Sequence, residues 1–102
     1  MSIKAFDGIT VILSEERWHH IILRHPELEK AKGLIYDAVA NPDEAYVDEA
    51  GAVHALKNVG GISDFLVAIY SINGEGYIRT AYYSSNKRKT RRYKTFRKLK
   101  PS

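Results

Sequence analysis

Apolar residues along the chain change their spacing twice, from strand-like to helical and back to strand-like. Two short apolar runs surround the turn dipeptide Asp7-Gly8, which predicts a strand pair near the N-terminus. Within residues 14–40 the apolar side chains recur every three or four positions, which is helical spacing. Four further strands are predicted at residues 44–49, 52–59, 63–72 and 77–85, with a hairpin turn at residues 73–76.

Two helices are predicted in the helical stretch, and local residues set their ends. Ser14 is a suitable N-cap for the first helix. Pro26 disfavours helical geometry at the preceding residue, so the first helix ends at about Arg24. The same proline can occupy the first position of the second helix, which ends at Asn41-Pro42.

This order of elements predicts an α+β fold, in which N-terminal helices pack on one face of a mainly four-stranded antiparallel sheet. The 102 residues suffice for one domain with one modest core. Residues 1–85 carry 7 Lys and Arg against 12 Asp and Glu, whereas residues 86–102 carry 9 Lys and Arg and no acidic residue. We therefore predict a single domain over residues 1–85 and a basic C-terminal arm over residues 86–102, suited to phosphate.

The composition excludes several classes of function. The chain has no cysteine, which removes disulfides, thiolate nucleophiles and cysteine-based zinc sites. No apolar run approaches the ~20 residues that span a membrane. The first residues, MSIKAFDG, lack the apolar segment of a signal peptide. These features favour a cytoplasmic protein that does not contact a membrane.

The segment RWHHIILRHPEL, residues 17–28, concentrates three of the four histidines on one short helix. Two metal ligands on one helix face need a spacing of four residues. His19, His20 and His25 offer spacings of one, five and six, so the pattern predicts neither a metal site nor another cofactor.

Acid–base chemistry is a second interpretation of this helix. Histidine can both accept and donate a proton near neutral pH. His20 and Arg24 are four residues apart and share a helix face, which places a proton carrier beside a cation that can bind two phosphate oxygens. The alternative is structural: His25 shares a face with Trp18 and Ile21 and would belong to the core, and His19 would be a surface residue.

The late strand and the C-terminal arm supply the other functional residues. Strict alternation places Thr80 and Tyr82 on one face with Ile78, and Arg79 on the other face with Tyr77, Ala81 and Tyr83. His54 and Lys57 likewise point to opposite faces of their strand. The arm interleaves Tyr93 and Phe96 with cations, which suits nucleic acid. A disordered solubilising tail, or an arm folded back on the acidic body, are the alternatives.

The ordered motifs HIILRHPEL, NPDEAY and YIRTAYY resemble the small nucleases of the barnase–EndoU–colicin–RelE-like superfamily, in particular its phage-associated branch. The resemblance covers about residues 17–84. It implies a helical N-terminal part packed on a four-stranded antiparallel sheet, and RNA cleavage without a metal. The matched positions, which would be catalytic, are His20, Arg24, His25, Thr80 and Tyr82. Lys57 is a looser match, and the basic arm lies outside the resemblance.

The resemblance therefore implies a metal-independent endoribonuclease, toxin-like in character, that uses histidine acid–base catalysis and attack by the RNA 2′-OH. Its partners would be RNA and an inhibitor or antitoxin protein. We predict that the substrate is bound by Lys57, Arg79, Lys87, Arg88, Arg91 and Arg92. Two other functions remain open: a non-catalytic RNA- or DNA-binding module that uses the basic arm, and a subunit whose arm docks on an acidic protein.

Overall fold

The computed structural model describes residues 2–60, 63–73 and 75–101, so Gly74 of the predicted hairpin turn lies outside the described residues. The strands are β1 (Ser2–Lys4), β2 (Thr10–Ile12), β3 (Glu44–Val47), β4 (Val53–Asn58), β5 (Phe65–Asn73), β6 (Glu75–Ser84) and β7 (Arg97–Lys100). The helices are α1 (Glu15–Arg24), α2 (Lys32–Ala40) and α3 (Asn86–Arg92), with short 3-10 helices at Pro26–Leu28 and Tyr93–Thr95. Among the described residues, no helix is long and apolar enough to cross a membrane.

The first helix has the ends that the sequence predicts. The Ser14 hydroxyl accepts a hydrogen bond from the backbone N–H of Arg17 at 3.1 Å, which satisfies one of the free donors of the first turn. The helix ends at Arg24 because the following residue, His25, precedes a proline. Pro26 opens only a single 3-10 turn, and α2 begins later, at Lys32.

The prediction of a mainly four-stranded antiparallel sheet is wrong. The sheet has seven strands in the order β1-β2-β6-β5-β4-β3-β7, and β2 runs parallel to β6. The N-terminal strand pair joins the sheet where Val11 lies beside Gly76. A β-carbon at Gly76 would lie 2.7 Å from the carbonyl oxygen of Thr10, so only glycine allows the two backbones to approach this closely.

Alternating residues of the sheet contribute to two separate apolar clusters. Val53 and Ala55 of β4 belong to the cluster that contains Trp18 and Ile21 of α1. The first two helices therefore pack on one face of the sheet, as predicted, and we call this the helix face. Leu56, the residue after Ala55, belongs to the cluster on the opposite face, which we call the second face.

The prediction of a separate basic C-terminal arm is also wrong, because residues 86–101 are folded and cover the second face. Tyr93 is 5% exposed and stacks on Tyr46 with ring centroids 4.7 Å apart. Phe96 packs against the same cluster, and β7 then pairs with β3 at the edge of the sheet. The aromatic residues that we interpreted as base-stacking groups therefore anchor this C-terminal segment to the domain.

Candidate active site

A cleft lies beside the part of β6 that has no strand neighbour on one side. β2 pairs with β6 only at Gly76 and Tyr77, and α1 also packs against β6. The cleft has a volume of about 400 Å³. Its lining consists of Arg17, His20 and Arg24 from α1 and of Ile69, Tyr77, Arg79 and Thr80 from the sheet. We call it the arginine cleft.

The helix supplies three of these side chains because of their spacing. Arg17, His20 and Arg24 follow one another at intervals of three and four residues, so they form one stripe along α1. The apolar face of the same helix buries Trp18 and Ile21 in the core. The buried residues fix the rotation of the helix and thereby direct the polar stripe into the cleft.

A β-bulge supplies the residues on the strand side. Ile69 pairs with Thr80 and Tyr70 pairs with Ile78, which leaves Arg79 as an extra residue in β6. The predicted strict alternation is therefore wrong, and Arg79 and Thr80 line the same cleft. Beyond the bulge the alternation is shifted, so that Ile78 and Ala81 both belong to the helix-face core.

The arginine cleft is strongly positive. Its lining contains three arginines and one histidine, and no carboxylate. Among the described residues, Arg17, Arg24 and Arg79 form no ion pair within 4.0 Å. The guanidinium groups are thus available to an anion, and their planar forks suit the paired oxygens of a phosphate.

Tyr82 extends the site along the second face, two residues beyond Thr80. The His25 ring lies 6.2 Å from the Tyr82 ring, and the Arg92 guanidinium carbon lies 5.9 Å from it, both measured to the ring centroid. The Tyr82 hydroxyl is buried and has no hydrogen-bond partner within the described part of the chain. His25 and Tyr82 therefore contact each other next to the arginine cleft, but neither side chain lines it.

The other predicted substrate-binding residues lie elsewhere. Lys57 donates a hydrogen bond to the carbonyl oxygen of Asn41 at 2.8 Å and lies 3.5 Å from a carboxylate oxygen of Asp37, so it holds the end of α2. The remaining predicted cations, Lys87, Arg88 and Arg91, are exposed on α3. Of the predicted α3 cations, Arg92 alone lies against the site, through Tyr82.

His54 has a structural environment and not a catalytic one. It is 2% exposed, and its Nε2 lies 3.0 Å from the Asp48 carboxylate. Its Nδ1 lies 2.9 Å from the Tyr93 hydroxyl, which therefore donates a hydrogen bond when the proton is on Nε2. Burial lowers the pKa of His54, and the hydrogen bond from His54 lowers the pKa of Asp48. Neutral His54 thus links the C-terminal segment to the sheet.

Acidification is expected to destabilise the fold through His54. Because its pKa is lower in the folded protein than its ordinary value of 6.5, the unfolded chain binds more protons as the pH falls below that value. The free energy of unfolding should therefore decrease between about pH 7 and pH 5. Urea titrations that follow the fluorescence of Trp18 should show that the free energy of unfolding decreases less steeply with falling pH in His54→Gln than in the parent protein. Parallel pH profiles of the two proteins would contradict this role of His54.

No family model, curated protein or solved structure matches the chain. Within residues 2–60, 63–73 and 75–101, no group of three His, Asp or Glu side chains is arranged to hold a metal ion.

Sequence reasoning missed three residues that line the arginine cleft, namely Arg17, Ile69 and Tyr77. Arg17 precedes His20 by three positions, so the helical spacing that paired His20 with Arg24 also includes it. Of the predicted residues, the cleft brings together His20, Arg24, Arg79 and Thr80.

Proposed function

We propose that the protein is a metal-independent endoribonuclease whose active site is the arginine cleft. One observation carries the proposal: His20 and Arg24 of α1 line the same cavity as Arg79 and Thr80 of the bulged strand. A proton carrier, two phosphate-binding cations and a hydroxyl donor are the groups that phosphodiester cleavage needs. The motif resemblance to small nucleases agrees with this choice of residues.

The reaction consists of attack by the RNA 2′-oxygen on the adjacent phosphorus. His20 accepts the proton of the 2′-OH as the new O2′–P bond forms. The P–O5′ bond breaks, and the leaving 5′-oxygen takes a proton from His25, whose ring lies beside Tyr82 and outside the lining of the cleft, so the leaving group has to extend from the cleft toward Tyr82. The products are a 2′,3′-cyclic phosphate and a 5′-hydroxyl.

The cations stabilise the charge that develops on the phosphate. Arg24 lines the cleft from the helix and Arg79 lines it from the strand, so a phosphate bound between them would receive hydrogen bonds from both. The Thr80 hydroxyl adds a neutral donor on the same wall as Arg79. Such groups are most effective when the fold holds them in place before the reaction.

The proposal is tested by incubating the pure protein with mixed RNA in excess chelator. We expect cleavage that leaves 2′,3′-cyclic phosphate ends, and no cleavage of DNA of the same sequence, because DNA lacks the attacking hydroxyl. Complete loss of activity on chelation, restored by zinc or magnesium, would contradict the metal-independent mechanism. RNA that remains intact under all conditions would contradict the proposal that the protein is an endoribonuclease.

A non-catalytic RNA- or DNA-binding module is the second candidate function. The exposed cations of the C-terminal segment favour it, since they form a basic surface even though the segment is folded: Lys87, Arg88, Arg91, Lys94, Arg97 and Lys98. Such a module would bind RNA with a steep dependence on salt and leave it uncut.

A further inference from the structure

A second cavity of about 570 Å³ adjoins the arginine cleft. The two cavities share Arg17, His20 and Tyr77, so a ligand held in one continues directly into the other. The second cavity lies between α1, β2 and β6. Apart from His20, none of the residues that line it takes part in the proposed cleavage chemistry.

The walls of this cavity combine an exposed aromatic ring with aliphatic side chains. Tyr77 is 42% exposed and Leu23 is 80% exposed, and both are among the few large apolar residues that the described chain leaves in solvent. Ile12 and Ile78 complete the apolar lining. A flat, apolar ring system that stacks on Tyr77 would cover this surface, and unstacked RNA bases bind proteins in this way.

Glu16 is the acidic residue that lines this cavity. It is the only carboxylate among the described residues that line either cavity. It lies in the first turn of α1, where the helix dipole stabilises a negative charge. Its neighbour Glu15 lies 3.6 Å from Lys32, whereas Glu16 forms no ion pair within the described residues. A carboxylate without a cationic partner can accept hydrogen bonds from a ligand.

We infer that this cavity is a nucleobase subsite, beside the phosphate-binding cleft, that selects a base carrying an exocyclic amino group. The inference rests on the proposed function, because the phosphate in the cleft and the base in the cavity would belong to one RNA strand. Adenine, cytosine and guanine each offer an amino N–H donor to a carboxylate. Uracil offers a single N–H between two carbonyl oxygens, which repel a carboxylate.

The selectivity is measured as binding of short 2′-O-methyl oligouridylates in which one position is U, A, C or G. These probes cannot undergo 2′-oxygen attack, so binding is measured apart from cleavage. The three amino-bearing probes are expected to bind about tenfold more tightly than the all-U probe, the scale of a hydrogen-bonded base contact. Glu16→Gln should remove most of this preference, because an amide also donates to the uracil carbonyls.

Matched variants separate the base subsite from general effects on binding. Glu15→Gln removes the same charge one residue away, at a side chain that lines neither cavity, and should keep the preference. Tyr77→Ala should weaken the binding of all four probes, as loss of a stacking surface does. Equal binding of the four probes by the parent protein, or an unchanged preference in Glu16→Gln, would overturn the inference.

The cleavage assay on ordinary RNA distinguishes this outcome from failure of the proposed function. A base preference in binding without any cleavage would support the subsite and contradict the proposal of an endoribonuclease. Cleavage without a base preference would support the proposal of an endoribonuclease and contradict the subsite. If Tyr77→Ala leaves the binding of every probe unchanged, the exposed apolar surface does not contact RNA and would suit a protein partner instead.

Discussion

Replacing His20 with alanine is expected to slow RNA cleavage by about a hundredfold or more, the usual contribution of a positioned acid or base. His20 is the histidine that lines the arginine cleft together with both phosphate-binding cations, so its loss removes the proton acceptor for the 2′-OH. The rate should be measured under single-turnover conditions in excess chelator, so that product release and metal contamination do not contribute.

Arg24→Lys is the sharper variant of the same site. It keeps the positive charge but loses the two-pronged guanidinium, so a role in holding two phosphate oxygens predicts a substantial loss of rate. Lys30→Ala is the matched control, since Lys30 is exposed and lines neither cavity. Circular dichroism must show that each variant is folded. If His20→Ala and Arg24→Lys fold and cleave at the parent rate, the arginine cleft is not the active site.

His25→Ala distinguishes a proton donor from a packing residue. If His25 protonates the leaving oxygen, the variant should cleave at least about a hundredfold more slowly while its melting temperature changes little. If His25 only packs against Tyr82, the melting temperature should fall, and activity should fall only with the folded fraction. Thermal melts and rates on the same sample separate the two roles.

A chain shortened to residues 1–85 is expected to lose cooperative folding. The truncation removes Tyr93 and Phe96 from the second face and removes β7 from the edge of the sheet. It also leaves the buried His54 without the hydroxyl that its Nδ1 contacts. Loss of one large buried aromatic alone costs about 3–5 kcal/mol, a large part of the roughly 5–15 kcal/mol that stabilises a typical domain.

Thermal unfolding followed by Trp18 fluorescence and by circular dichroism measures this effect. Tyr93→Ala in the full chain should lower the free energy of unfolding by about 3–5 kcal/mol. Tyr93→Phe keeps the ring and loses only the hydrogen bond to His54, so it should cost about 1 kcal/mol. A truncated chain with the parent's melting temperature would mean that the C-terminal segment is dispensable for the fold.

The first helix could be predicted closely because local interactions determine it. A Ser14 cap, a single apolar face and a proline after His25 act within one stretch of chain, so the sequence alone defines both ends. The stripe that includes His20 and Arg24 follows from helical geometry, and the structure places both residues in one cavity. The alternating faces of β4 were predictable for the same reason, and His54 and Lys57 do point to opposite faces.

The bulge in β6 could not be predicted, because the residues of that strand alternate as in an ordinary strand. The pairing partner on β5 decides that Arg79 is the extra residue, and the sequence does not show which residues pair. This error in the alternation matters for function. Strict alternation separates Arg79 from Thr80, whereas the bulge places both in the arginine cleft.

The C-terminal segment was misinterpreted because its charge is local and its packing is not. Nine positive charges in seventeen residues are typical of a disordered or nucleic-acid-binding arm. Tyr93 stacks on Tyr46 and contacts His54, and both of these partners lie roughly 40 to 50 residues earlier in the chain. The large apolar residues of the segment are Tyr93, Phe96 and Leu99; the first two pack with the second-face cluster, whereas Leu99 packs with the helix-face cluster.

The position of the RNA phosphate tests the central claim most directly. Amide chemical shifts of the labelled protein should be recorded while a 2′-O-methyl oligonucleotide is added, since this probe binds without being cleaved. We predict that the largest changes occur at His20, Arg24, Arg79 and Thr80, which line the arginine cleft. Changes confined to α3 and β7, with none in the cleft, would contradict the proposed active site and favour binding through the basic surface alone.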